Sequence, residues 1–144
     1  MIRSFLAVAA LVVATGAVVA QSDPITTRRN IMKQNGQVTR LGNQMAKGEV
    51  PFDLAKAQEI LKAYAVAADT MHNYFPDTSR TGGETTAAPA IWQNQADFRA
   101  RFDAWAKDIQ AASAQTKDLE SFRAAFGNVT RACASCHNTY RIKT

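Results

Sequence analysis

The chain has 144 residues, of which 47% are hydrophobic and 20% charged, and its formal net charge is +5 at pH 7. The basic residues are scattered and carry no interleaved aromatic platform, which argues against nucleic acid as a partner. With only 7 Gly and 4 Pro, frequent Ala and no alternation of apolar and polar side chains, the composition predicts one all-α domain. The positive charge suits an acidic redox partner about as well as it suits a solvated surface with no such role.

The N-terminus has the pattern of an export signal. Arg3 makes the first residues positive, an apolar run covers residues 5–20, and the small residues at 18–20 suit cleavage by signal peptidase. The run is short for a membrane span of ~20 apolar residues, so the pattern favours a cleaved signal peptide over an anchor. We therefore expect residues 1–20 to be removed and residues 21–144 to form a periplasmic domain without stable membrane insertion.

Two long helices are predicted in the first half of the mature chain. The first begins at Asp23 and Pro24, a capping residue followed by a proline at the first helical position. It extends to Lys47 and Gly48, because glycine is favoured just past the end of a helix. The second follows residues 51–53, carries apolar residues at alternating spacings of three and four, and is expected to stop at Pro76.

Two further helices are predicted after a long link at residues 76–93. The third begins with Asn94 as its N-cap, and Asp97 is in the position of a capping box. The fourth starts near Asp118 and has a clear apolar stripe, namely Leu119, Phe122, Phe126, Val129, Cys133, Cys136 and Tyr140.

The spacing of these apolar stripes predicts the fold. Repeats of three and four residues are typical of helices that pack nearly antiparallel. Because the first and last links are short, we expect an antiparallel up-down-up-down four-helix bundle, a fold that holds cofactors in its core. The link at residues 76–93 contains Gly82, Gly83 and Pro89 and should cross the end of the bundle as an ordered or semi-mobile loop.

The sequence Cys133-Ala134-Ser135-Cys136-His137 is the most specific motif of the chain. A C-x-x-C-H run is the signature of covalent haem attachment, in which two thioethers hold haem c and the histidine ligates the iron. Residues at i, i+3 and i+4 share one helical face, so one helix can present both thiols and the imidazole.

Other uses of the two cysteines are less consistent with the sequence. A disulfide between them would close a very small loop, and a thioredoxin-like motif would need a preceding strand. A zinc site would lack ligands, because the only other histidine is His72. Since both thiols lie on the apolar stripe of the last helix, we expect one haem c inside the bundle, near the end of that helix. The protein without haem should then be less stable.

The residue on the other side of the iron decides the function. A filled sixth position suits electron transfer, and an open one suits binding of small gases. In an up-down bundle the last helix ends where the first begins, which favours Met32 as the distal ligand. Met45 and Met71 are expected several turns away, and His72, near the end of the second helix, is interpreted as a hydrogen-bonded surface or rim residue.

Met32 lies at the margin of the apolar stripe formed by Ile31, Val38 and Met45, about 100° from Ile31 around the helix. The residues alone therefore leave ligation and simple packing equally open.

The chain resembles the class II c-type cytochromes, the cytochrome c prime family of four-helix-bundle haem proteins. The resemblance covers the whole mature chain and is strongest at the attachment motif. The residues that carry it are the run 133–141, Ile91-Trp92 with residues 94–98, the turn at 48–53, and Arg28 followed four residues later by Met32, then by Lys33 and Gly36.

This resemblance implies a ligand set. The position four residues after the arginine of the first helix faces the iron, and a methionine there belongs to the low-spin, six-coordinate branch. Met32 is thus implied as the distal ligand opposite His137. The corresponding function is electron transfer by a monohaem cytochrome that is not an enzyme. The alternative is a five-coordinate high-spin cytochrome c prime that binds nitric oxide or carbon monoxide.

Three arginines are candidates for contacts with the haem or with the loop near it. Arg28 or Arg29 is a candidate contact for a haem propionate, and Arg141 is a candidate contact for the haem edge or the loop near it. A solvated helix face is the alternative for each arginine.

The partners are redox proteins that the sequence does not identify. Family members are often dimers, yet no strong exposed apolar patch is visible, so monomer and homodimer both stay open.

Overall fold

The computed structural model describes residues 23–143. The predicted signal peptide at residues 1–20 lies outside this part of the chain. Five α-helices and two short 3-10 helices follow one another in it. They are α1 (Pro24–Lys47), α2 (Leu54–Thr70), the 3-10 helices Met71–Tyr74 and Asp77–Ser79, α3 (Ala90–Gln93), α4 (Gln95–Gln115) and α5 (Leu119–Tyr140).

The predicted starts of three long helices are confirmed. The Asp23 carboxylate accepts a hydrogen bond from the backbone N–H of Thr26 at 2.8 Å, and the Asn94 side chain accepts one from Asp97 at 3.3 Å. Asp118 and Ser121 form a full capping box at the start of α5. These side chains satisfy backbone donors that a helix N-terminus leaves without partners. At the other end of α1, Gly48 adopts φ 76°, which glycine reaches without strain.

The predicted C-terminal end of the second helix, at Pro76, is wrong. The α-helix ends at Thr70, and the chain continues as the 3-10 helix Met71–Tyr74 before Pro76. The residue before a proline is restricted away from the helical region, and Phe75 accordingly has φ −126° and ψ 50°. The carbonyl of Tyr74 accepts a hydrogen bond from Arg28 instead of closing another helical turn.

The packing of the helices confirms the four-helix bundle. Both α1 and α4 pack against α2 and α5, so the four long helices surround a common core. That core includes Met45, Tyr64, Trp105, Phe122, Phe126 and Val129. The structure also contains α3, a single turn that the sequence did not predict. No helix among residues 23–143 is long and apolar enough to cross a bilayer.

A long segment, called here the crossover loop (residues 75–89), crosses one end of the bundle as predicted. Its last part pairs with the residues that follow α5. Ala87 and Arg141 form an antiparallel bridge, Ala88 N–H donates to Tyr140 O at 3.0 Å, and Ile142 N–H donates to Thr86 O at 2.8 Å. The loop is therefore hydrogen-bonded to the C-terminal end of α5.

Candidate haem-binding site

A cavity of about 920 Å³ opens between α1, α4, α5 and the crossover loop. Its volume is within the range of roughly 300–1,000 Å³ that small-molecule and cofactor sites occupy. The lining surface is mainly apolar, and it includes Met32 from α1 and Cys133, Cys136 and His137 from α5. The structure thus brings together the attachment motif and the predicted distal residue, which are far apart in the sequence.

Both cysteines are free, half-buried thiols on the wall of this cavity. Burial raises the pKa of Cys133 and of Cys136, and the nearby Arg101 charge partly offsets this for Cys136. The two residues are three positions apart on α5, so their side chains share the helical face that borders the cavity. A ligand held by both thiols would lie within the bundle.

His137 follows the second cysteine and is half-buried. Burial lowers its pKa, and the positive charge of Arg141 lowers it further. The imidazole therefore stays neutral at physiological pH, with a nitrogen lone pair available to a metal.

The three methionines of residues 23–143 and His72 differ in whether they border the cavity. Met32 is half-buried and lines the cavity, whereas Met45 is 1% exposed and packs in the core. Met71 also lines the cavity, so the prediction that it lies several turns away is wrong. It follows the end of α2, and that end of α2 is the same end of the bundle at which α1 begins. His72 packs its ring 6.0 Å from the ring of Phe102.

His72 differs from its predicted environment in one respect. Its Nδ1 atom is buried and has no hydrogen-bond partner within the described part of the chain, although a hydrogen-bonded rim residue was expected. His72 is also absent from the residues that border the cavity. The imidazole on the cavity wall is that of His137.

Arg28 borders the cavity and is buried, with 3% of its surface exposed, and its contact with a haem propionate stays a prediction. Its Nη atoms donate to Tyr74 O, Ser79 Oγ, Ser79 O and Thr85 Oγ1. The guanidinium also lies 4.7 Å from the centre of the Phe75 ring. Burial lowers the pKa of Arg28, and Asp23 opposes that shift. Because all four Nη hydrogens have partners in the protein, only Nε is left for another acceptor.

Two other arginines lie at the mouth of the cavity. The exposed Arg29 forms an ion pair with Glu84 of the crossover loop. Arg141 is exposed, lines the cavity, and pairs through its backbone with Ala87 of the same loop. Arg141 is therefore near the loop, as predicted, and a contact with the haem edge stays a prediction.

Sequence reasoning missed a polar cluster beside the attachment motif. The Tyr140 hydroxyl donates to the Asp97 carboxylate, and Arg101 Nε donates to the same oxygen at 2.8 Å. Arg101 Nη1 also reaches Ser135 O and Oγ at 3.4 Å, inside the motif itself. The four-residue spacing of Asp97 and Arg101 was the available signal, since such pairs meet on one helical face.

A second missed polar group lies on the cavity wall. Thr39 Oγ1 donates to Asn35 O at 2.6 Å, and the Tyr64 hydroxyl lies 2.6 Å from Thr39 Oγ1. Since the Thr39 proton is used by Asn35 O, Tyr64 is the donor of that second bond. Burial raises the pKa of Tyr64 to about 12, although its bond with Thr39 acts in the opposite direction. All three residues border the cavity.

The residue set fits a covalently attached haem. Two free thiols, one neutral imidazole and the thioethers of Met32 and Met71 share a wall that is otherwise largely apolar. Within residues 23–143 no cluster of three or more His, Cys, Asp or Glu side chains could hold a metal ion on its own. Comparison with known proteins decides the family, because the profile described as Cytochrome C′ matches residues 23–141.

The chain belongs to the cytochrome c′ family. It is a class II c-type cytochrome, and haem c is its covalently bound cofactor. Cytochrome c′ of Rhodopseudomonas palustris is 41% identical over 92% of this chain and 91% of its own length. Cytochrome c-556 of the same organism is 31% identical over 99% of both chains.

Solved structures agree with this assignment of the fold. The structure of cytochrome c′ from Rhodopseudomonas palustris has a TM-score of 0.82 and 40% identity, covering 86% of this chain and 99% of that one. A cytochrome c prime from Alcaligenes xylosoxidans has a TM-score of 0.73 and 26% identity, covering 83% of this chain and 94% of that one. That second structure is a nitric oxide complex of a point mutant.

Proposed function

We propose that this cytochrome is a periplasmic one-electron carrier with low-spin, six-coordinate iron. In this proposal Cys133 and Cys136 carry the haem through thioether bonds, His137 is the proximal ligand and Met32 is the distal ligand. The haem supplies a one-electron redox centre, and ligation by histidine and methionine raises its potential. This proposal is more specific than the family assignment, which does not choose between the two kinds of relative. Both a cytochrome c′ and a cytochrome c-556 are similar to the chain.

One observation carries the proposal. Met32 and His137 lie on different helices, α1 and α5, and both border the one cavity that also holds the two thiols. A thioether at this position can occupy the side of the iron that the imidazole leaves free. The neutral state of His137 agrees with its role as a ligand, because burial lowers its pKa.

The protein surroundings support a carrier in two further ways. The aromatic rings of Phe98, Phe102 and Trp105 line the cavity on α4 and give that wall an apolar surface. The long helices hold both ligands in place, because α1 and α5 pack directly against each other. A redox site whose ligands stay in place in both oxidation states needs little reorganisation when the electron moves.

An optical spectrum of the oxidised holoprotein tests the ligand set. We expect low-spin bands together with a sulfur-to-iron charge-transfer band, and we expect the Met32→Ala variant to lose that band and become high-spin. Met71→Leu is the matched control, because it removes the other thioether on the cavity wall. A high-spin spectrum of the unmodified protein, or a charge-transfer band that survives in Met32→Ala, contradicts the proposal.

A second candidate function is reversible binding of a small gas. It is favoured by the likeness to a cytochrome c prime whose structure holds nitric oxide. Carbon monoxide added to the reduced holoprotein distinguishes the two. Rapid binding to the unmodified protein supports a gas-binding role, whereas binding that becomes fast only in Met32→Ala supports a filled sixth position and hence electron transfer.

The export of the domain is the remaining part of the proposal. Residues 1–20 have the pattern of a signal peptide, and its removal would leave a mature domain that begins at residue 21. Mass spectrometry of the protein recovered from the periplasm tests this directly. We expect one species that begins at residue 21 and carries the added mass of one haem.

A further inference from the structure

The crossover loop is fixed at two places, and both are next to the residues of the haem site. At one place its last residues pair with Tyr140 and Ile142, just past His137. At the other, Ser79 and Thr85 accept hydrogen bonds from Arg28, which is four residues before Met32. Because Phe75, Thr85 and Ala87 border the cavity, the loop forms a wall that connects the two helices of the ligands.

Arg28 makes the stronger of the two attachments. Its four hydrogen bonds to the loop and the preceding turn have donor–acceptor distances of 2.6–3.0 Å, and they involve a charged donor, which makes them stronger than neutral ones. Its guanidinium also stacks on Phe75. The Arg29–Glu84 pair links the same helix and loop but is exposed, so solvent screening leaves it little effect.

The loop depends on Arg28 to satisfy its own polar groups. Tyr74 O and Ser79 O face the buried guanidinium, and a buried carbonyl that loses its donor is unfavourable. Without Arg28 the loop must therefore move toward water. The part of the cavity wall that it forms would move with it, because Thr85 and Phe75 both line the cavity.

We propose that Arg28 is a positioning residue that holds the crossover loop as the wall of the distal side and thereby limits access of added ligands to the sixth position of the iron. The proposal rests on the assignment of Met32 to that position. Arg28 and Met32 lie one turn apart on the same face of α1, so the helix that holds the loop closed also supplies the thioether. In this role Arg28 acts through the loop and does not need to touch the haem.

Two substitutions weaken the hydrogen bonds between Arg28 and the crossover loop, one by changing the donor and one by removing an acceptor. Arg28→Lys keeps the positive charge but cannot reproduce the planar fork of donors, and Ser79→Ala removes one acceptor while Arg28 stays in place. Arg80→Gln is the matched control, because Arg80 belongs to the same loop, pairs with Asp77 of that loop in an exposed ion pair, and lies 5.8 Å from the centre of the Trp92 ring. All three are made in the holoprotein.

Hydrogen exchange gives a readout that does not depend on the haem. The amide of Ala88 is hydrogen-bonded to the end of α5, and that of Ser79 is bonded to Pro76 O. We expect both amides to exchange at least ~10-fold faster in Arg28→Lys and Ser79→Ala, since local opening governs their exchange, and to be unchanged in Arg80→Gln. Equal exchange in all variants overturns the proposal.

Carbon monoxide binding tests the effect on the distal side. The association rate is measured in the Met32→Ala background, where no thioether competes, so that only the wall differs between variants. We expect the association rate to rise by ~10-fold when Arg28→Lys is added, because local opening of the wall would admit the gas more easily. Adding Arg80→Gln should leave the association rate unchanged. Faster exchange without faster binding shows a purely structural role and also overturns the proposal.

Failure of the ligand assignment would look different. If Met32 is not a ligand, the spectrum of Met32→Ala equals that of the unmodified protein, whereas the effect of Arg28→Lys on exchange and on the association rate is measured independently. The two conclusions can therefore fail separately.

Discussion

Gly42 of α1 lies against the aromatic ring of Phe126 on α5, so closely that a Cβ added to Gly42 would stand 2.5 Å from Cζ and 3.1 Å from Cδ2 of that ring. Phe126 is 3% exposed and packs on Phe122 and Tyr64, so it has no room to move. The absence of a side chain at this position permits the close approach of the two helices whose other ends border the haem cavity.

The Gly42→Ala substitution should therefore destabilise the protein. Alanine is the better helix former by about 1 kcal/mol, but the clash with a buried ring typically costs ~1–3 kcal/mol and outweighs that gain. Urea unfolding of the holoprotein measures the difference. Gly127→Ala is the control, because nothing lies within 4 Å of a Cβ at that helical position, and it should be neutral or stabilising. A stabilised Gly42→Ala would contradict the close approach.

The hydrogen bond between Tyr64 and Thr39 predicts that substitutions of its donor and of its acceptor lower the free energy of unfolding by different amounts. Tyr64→Phe removes a donor but leaves Thr39 bonded to Asn35 O, and should cost about 1 kcal/mol. Thr39→Val removes the acceptor and leaves a fully buried hydroxyl on Tyr64 without that partner, which should cost more, ~1–3 kcal/mol. Chemical unfolding of both variants provides the comparison, and a smaller loss for Thr39→Val would contradict the assigned donor.

Asp97 predicts a pH dependence of stability. Hydrogen bonds from Tyr140 and then Arg101 hold the pKa of Asp97 below its ordinary value of 3.8. A carboxylate with a lowered folded pKa stabilises the protein above its unfolded pKa, and this contribution is lost as the pH falls through the folded pKa. Asp97→Asn should therefore be less stable than the unmodified protein at neutral pH and should approach it as the pH falls below 3.8.

Unfolding curves at neutral and acidic pH measure this convergence. Asp103→Asn, which removes a carboxylate from an exposed position of the same helix, is the control variant. If the gap between Asp97→Asn and the unmodified protein stays constant through this pH range, the hydrogen bonds do not favour the charged carboxylate.

Loss of haem attachment should lower the thermal stability. In the double variant Cys133→Ser and Cys136→Ser, the cavity of about 920 Å³ loses the group that should fill it. Since a bound group stabilises only the folded state, we expect the Tm to fall by on the order of 10 °C, the shift that a few kcal/mol produces in a domain of this size. Calorimetry measures it, with Ala134→Ser as the control within the motif. An unchanged Tm in the double variant would show that the bundle folds independently of its cofactor.

Local chemistry made most of the fold predictable. Asp23, Asn94 and Asp118 each cap the helix that they were expected to start, because capping depends only on residues two or three positions away. The apolar stripe of α5 likewise identified Phe122, Phe126 and Val129 as core, and it assigned the two thiols to the interior.

Contacts between distant segments were not predictable in the same way. The end of α2 and the place of Met71 depend on how the chain turns before Pro76, and that turn is stabilised by Arg28 from another helix. The sequence near Arg28 is that of an ordinary basic helix face. Its burial follows only from the crossover loop, whose acceptors Ser79 and Thr85 come much later in the chain. The hydrogen bond from Tyr140 to Asp97 was missed for the same reason, because it joins α5 to α4.

The pairing of Thr86 and Ala87 with Ile142 and Arg141 has a practical consequence for handling the protein. Residues 141 and 142 pair with the loop that borders the cavity, so an affinity tag fused after them would disturb the hydrogen bonds that keep the loop in place. Removal of residues 141–144 would take away the Ile142 N–H that donates to the Thr86 carbonyl, while Ala88 N–H keeps its bond to Tyr140 O. Purification handles belong instead at the N-terminal side of the mature domain, before Asp23, where the first helix is held by its own cap.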